Sequence, residues 1–111
     1  MNSNKKFTIM IAGVITVVVF WIGWVSSNPK DEKALGNRAL CYEKLQKFDL
    51  ALKDNLELLN YNKSGEILGS IGYDYLWLGK YEEARKYINQ AIELLPETIV
   101  NRYNLALTYQ Y

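Results

Sequence analysis

The chain repeats itself. Leu78-Gly79-Lys80-Tyr81-Glu82-Glu83-Ala84 lines up with Leu45-Gln46-Lys47-Phe48-Asp49-Leu50-Ala51 at an offset of 33 residues. Self-similarity at a period of about 20 to 50 residues constrains architecture more than any local propensity does, because each unit must bury its apolar face on the next copy. Around the repeat, Gly65 to Thr98 reads as two amphipathic helices joined by a tight turn at Gly79, with Pro96 stopping the second. Leu68, Ile71 and Tyr75 share one face of the first helix. Gly72 and Ala84 are small where two helix backbones approach, and Ile88 and Ala91 continue the facing stripe.

This segment resembles the tetratricopeptide repeat, a helix-turn-helix unit of about 34 residues. With Gly65 as the first position, the family's signature places are filled by Leu68, Ile71, Gly72, Tyr75, Ala84, Ile88, Ala91 and Pro96. The preceding unit, residues 31–64, keeps Leu35, Ala39, Tyr42 and Ala51 but departs elsewhere. Arg38, Asn55 and Leu58 stand where an aliphatic, a larger apolar and a small residue are expected, and no proline closes the unit. A third unit, 99–111, supplies Leu105, Ala106 and Tyr109 and is expected to provide a first helix alone. The resemblance implies an all-α fold: a right-handed array of helical hairpins, about two and a half repeats and five helices long.

In that family the first helix of each unit lines a concave groove that holds a peptide or a partner helix. Carried over position by position, the groove falls on Leu40 with Gly36 and Glu43, on Tyr73, Leu76 and Trp77 with Gly69, and on Tyr103, Leu107 and Tyr111. The same apolar residues could instead form the contact between successive repeats. Some members clamp the terminal carboxylate of a chaperone with cations and asparagines. The clamp positions here are Gly36, Leu40, Ser70, Val100 and Asn104, none a cation. A partner's terminal carboxylate is therefore not what this groove is expected to recognise.

Ahead of the repeats, Phe7 to Val25 is a run of nineteen residues without a charge. As a helix it rises about 28 Å, close to the roughly 30 Å of a bilayer's hydrocarbon core. Its many β-branched residues are no obstacle, since in lipid a helix is the single segment that satisfies its own backbone. Trp21 and Trp24 lie at one end and Lys5 and Lys6 beyond the other, so residues 7–25 are expected to be a transmembrane signal anchor. A cleaved signal peptide ending near Val25-Ser26-Ser27 and a buried core helix are the competing readings; the run is longer than an ordinary signal core. The organisation is then a basic tail at 1–6, the anchor at 7–25, a linker at 26–30 and the repeats. Lys5 and Lys6 lie closer to the span than Lys30, Lys33 and Arg38, which places the amino terminus in the cytoplasm and the repeats on the non-cytoplasmic side.

Composition removes other functions. The chain has no His and a single Cys, Cys41, so histidine acid/base chemistry, a Cys-His nucleophile, a His-ligated zinc site and an internal disulfide are excluded. No nucleotide motif is present, and neither a cofactor, a metal nor an enzymatic activity is expected. After Val25 there are 11 Lys/Arg against 12 Asp/Glu, which leaves no electrostatic footprint for nucleic acid. The expected partners are a protein or peptide in the groove and membrane lipid along 7–25. The alternative is a structural element that forms a homodimer through the apolar face of its last helix.

Overall fold

The computed structural model describes residues 16, 17, 19, 20 and 31–111. Tail, linker and most of the expected anchor lie outside the described residues; Thr16, Val17, Val19 and Phe20 are helical. Among the described residues no helix is long and apolar enough to cross a membrane. From residue 31 onward the chain is five helices: α1 (Glu32–Lys44), α2 (Phe48–Tyr61), α3 (Gly65–Trp77), α4 (Tyr81–Leu94) and α5 (Ile99–Gln110).

Local chemistry sets their ends. Asp31 accepts the Ala34 amide at 3.0 Å and Ser64 accepts the Ile67 amide at 3.2 Å, so the first helix of each complete hairpin is capped by its own side chain. Both hairpins close by the same turn, 33 residues apart. In the second, Gly79 N–H donates to the Leu76 carbonyl at 3.1 Å and Lys80 N–H to that of Tyr75 at 2.9 Å. In the first, Gln46 N–H donates to Glu43 and Lys47 N–H to Tyr42, at 2.9 and 2.8 Å. This helix-ending motif needs a left-handed residue, supplied by Gly79 at φ 78° and, unusually, by Gln46 at φ 59°.

Each helix packs on the next along the chain, and α3 also meets α5. Leu68, Ile71, Ala84, Ile88 and Ala91 are almost wholly buried between α3 and α4. Their close approach depends on Gly72. A Cβ there would press into the Ile88 side chain and stand 3.2 Å from the Ala84 carbonyl oxygen. Tyr75 stacks on Tyr87 across the two helices at 5.6 Å.

The first hairpin solves the same problem with charge. Arg38, at the place of Ile71, donates through Nε and Nη2 to both oxygens of Asp54, at 2.6 and 2.5 Å. Asp54, at the place of Tyr87, is 2% exposed, and the guanidinium also lies 5.8 Å from the Tyr42 ring centroid. The departures in residues 31–64 are thus partnered substitutions: an ion pair bonded at two points stands where the second hairpin uses aliphatic and aromatic packing.

Candidate functional site

An open groove of about 420 Å³ runs beside the first helices of the array. Glu43 of α1, Gly65, Glu66, Gly69, Ser70 and Tyr73 of α3, and Val100, Asn101 and Asn104 of α5 line it, with Leu95 and Thr98 from the α4–α5 connection. The glycines keep it narrow. A Cβ on Gly69 would stand 2.6 Å from Asn101 Oδ1, and one on Gly65 2.6 Å from the Leu95 side chain, so α5 and the connection approach bare α3 backbone. Asn101 and Asn104 are 6% and 5% exposed, which makes amide side chains part of the groove wall rather than loose surface groups.

Behind that wall, where the two hairpins meet, lies a polar cluster. Asn55 of α2 donates through Nδ2 to Asp74 Oδ2 at 2.8 Å and to Glu43 Oε1 at 3.4 Å. Asp74 is fully buried, and its Oδ1 has no hydrogen-bond donor. Burial, then the contact with Glu43 and that carboxylate's charge, push the Asp74 carboxyl up to about 9, against the opposing hydrogen bond from Asn55. Glu43 is raised too, chiefly by burial, with Asp74, Asn55 and Lys44 pulling the other way. Two acids this close retain a proton between them at neutral pH. Burial and the same two acids raise the Tyr73 hydroxyl.

The residues expected to line one groove are distributed over several surfaces. Tyr73 lines the groove between α1, α3 and α5. Leu76 is 4% exposed and clusters with Ala84 and Ile88. With Trp77, Leu107 and Tyr111 it also lines a second, apolar concavity of about 330 Å³, completed by Leu78, Gly79 and Tyr81. Trp77 is half exposed, stacked on Phe48 at 6.1 Å and edge-on to Tyr73 at 6.2 Å. Tyr111 stacks on Tyr81. Leu40 and Tyr103 are exposed and line neither concavity. The structure adds Asp74, Glu66 and Asn101. The signal for Asp74 was an acid well inside the apolar run of α3, beyond the first turn where helices favour acids.

Stacked helical hairpins with a groove along their first helices define a helical-repeat protein of the kind that works by binding. Residues 65–98, the α3–α4 hairpin with its flanking turns, match the tetratricopeptide repeat family. Among solved structures it is similar to the first tetratricopeptide domain of Spaghetti (RPAP3) bound to the HSP90 peptide SRMEEVD. The TM-score is 0.81 at 25% identity, over 96% of this chain and 84% of that one. It is also similar to a tetratricopeptide repeat protein from Parabacteroides merdae, with a TM-score of 0.79 at 23% identity. That match covers 95% of this chain and 41% of the other. Comparison with curated proteins finds no match.

Proposed function

We propose that the protein is a membrane-anchored adaptor whose groove between α1, α3 and α5 binds a peptide segment of another protein. One observation carries the reading: three separate first helices contribute side chains to a single open groove. The likeness to a tetratricopeptide domain bound to a peptide supports it. The mode of binding differs from a terminal-carboxylate clamp, because Ser70, Val100 and Asn104 of this groove bring no cation. The apolar run of residues 7–25 serves as the anchor and Lys5 and Lys6 hold the amino terminus in the cytoplasm, on sequence grounds alone. Anchoring concentrates groove and partner on one surface, so modest affinity suffices. The protein then has no catalytic task.

A photo-crosslinking residue at Ser70, compared with one at the exposed Glu93 of α4, tests the groove in intact cells. A discrete protein adduct is expected from Ser70 and not from Glu93. Identical adducts from both positions, or none from Ser70, would remove the proposal.

A second reading, self-association, rests on the exposure of Tyr111 at the apolar concavity of Leu76, Trp77 and Leu107, and of Tyr103 and Tyr109 on the same helix. Native mass measurement in micelles separates the two. A dimer abolished by Leu107→Glu supports self-association, and a monomer at every concentration removes it.

A further inference from the structure

We propose that the peptide taken by the groove carries a lysine or arginine, whose cation seats against the Glu43 carboxylate with Asp74 behind it. The inference rests on the peptide-groove reading and adds the chemistry of the occupant. Glu43 and Glu66 are the charged residues of the groove lining, which includes no lysine or arginine. The neighbouring Ser70, Tyr73, Asn101 and Asn104 offer hydroxyls and amides, suited to the backbone and polar side chains of an extended segment.

The second observation is independent of that lining. Asp74 is buried completely, one of its oxygens has no donor, and its carboxyl lies against that of Glu43. Among the described residues the ion pair is Arg38 with Asp54, which leaves both Glu43 and Asp74 outside any ion pair. Two carboxyls in contact and short of donors are relieved either by holding a proton or by receiving a cation. Of the two acids, Glu43 opens to the groove. Lys44 is the nearest cation along α1, but it is exposed and stands outside the lining.

Charge complementarity selects the same occupant. Lysine and arginine nearly balance aspartate and glutamate after Val25, so the body of the protein exerts little attraction for either sign. Selection must then come from close range, inside the groove. An acidic segment such as SRMEEVD would face Glu43 and Glu66 with uncharged Gly36, Leu40, Ser70, Val100 and Asn104 at the clamp positions. Repulsion would be uncompensated.

The test uses the full chain in neutral-detergent micelles and three fluorescent peptides sharing one frame of alanine, leucine and serine. The same positions carry lysine, glutamate or glutamine. Anisotropy is measured at about 0.15 M salt, where charges beyond about 8 Å are screened. The lysine peptide should bind about tenfold tighter than the glutamate peptide. Glu43→Gln should remove most of that difference and Glu93→Gln should leave it unchanged, with circular dichroism unaltered in each. If the glutamate or glutamine peptide binds as tightly as the lysine peptide and Ser70→Trp blocks it, the cation site falls while the groove stands. If the lysine preference survives Glu43→Gln, the cation does not sit there and the proposal is overturned. If none of the three peptides binds, the groove reading falls and the cation site with it.

Discussion

Two side chains sit where their type is costly, and each makes its cost measurable. Asp74 is an acid in a buried place, with its carboxyl pushed up to about 9 from an ordinary 3.8 by burial and by Glu43. The folded chain therefore binds more protons than the unfolded chain between those values. The stability from this group is complete below 3.8 and is lost as pH rises through about 9. Around it, Glu43 on α1 is raised as well, chiefly by burial, and so adds to the slope with the same sign, Tyr73 on α3 is raised too, and the Asn55 amide on α2 carries no charge. Thermal unfolding should accordingly show a midpoint falling by several degrees from about pH 5 to about pH 9, and Asp74→Asn should flatten that slope. A wild-type midpoint that rises over the interval would contradict the shared proton. Gln46 is the other case, a side chain at φ 59° where the second hairpin has Gly79. Gln46→Gly relieves the left-handed strain but loosens the unfolded chain, so a net gain of about 0.5 kcal/mol is expected in denaturant titration. Gly79→Gln, with open space around it and strain alone to report, should lose about 1 kcal/mol.

At the scale of elements, the two hairpins place different chemistry on the same scaffold. The α3–α4 pair depends on absence of bulk: Gly72→Leu drives a side chain into Ile88 and the Ala84 carbonyl, separating the helices at a cost of about 3 kcal/mol or more. Loss of helical circular dichroism or a collapsed melting midpoint is the expected readout. The α1–α2 pair depends on a charge being matched. Asp54→Leu leaves the Arg38 guanidinium, with 17% of its side chain exposed, beside a buried apolar group and should cost about 3 kcal/mol. Arg38→Met combined with Asp54→Leu should recover most of that loss, since a matched apolar pair often replaces a buried ion pair without penalty. If the double variant is as unstable as the single one, the pair does more than satisfy itself.

For the whole molecule, the proposed anchor at residues 7–25 carries with it a proposed orientation of the groove. In the proposed topology Lys5 and Lys6 outweigh Lys30, Lys33 and Arg38, because they flank the apolar run and have no acids among them. A phosphatase fused after Tyr111 should be active outside the cytoplasm, and replacing both N-terminal lysines by Asn should divide the population between two orientations. A fusion of the native sequence that is inactive outside and fluorescent inside would reverse the topology and move the groove to the cytoplasmic face.

Part of the molecule was legible in the residues alone. The 33-residue offset, the turn at Gly79 and the apolar stripe of Leu68, Ile71 and Ile88 are short-range patterns, and short-range patterns determine where helices stop, turn and pack. The polar residues of the first hairpin looked like losses when compared with the repeat, yet Arg38 meets Asp54 sixteen residues on and Asn55 meets Asp74 nineteen on. No helical period links those pairs. The apolar groove candidates gave a similarly incomplete account: the resemblance marked Tyr73, Leu76, Trp77, Leu107 and Tyr111 as groove positions, but not how they would divide. That division depends on how far each hairpin is rotated against the next. The rotation is fixed by contacts between units, such as bare Gly69 backbone against Asn101, and those exist only once the units are stacked.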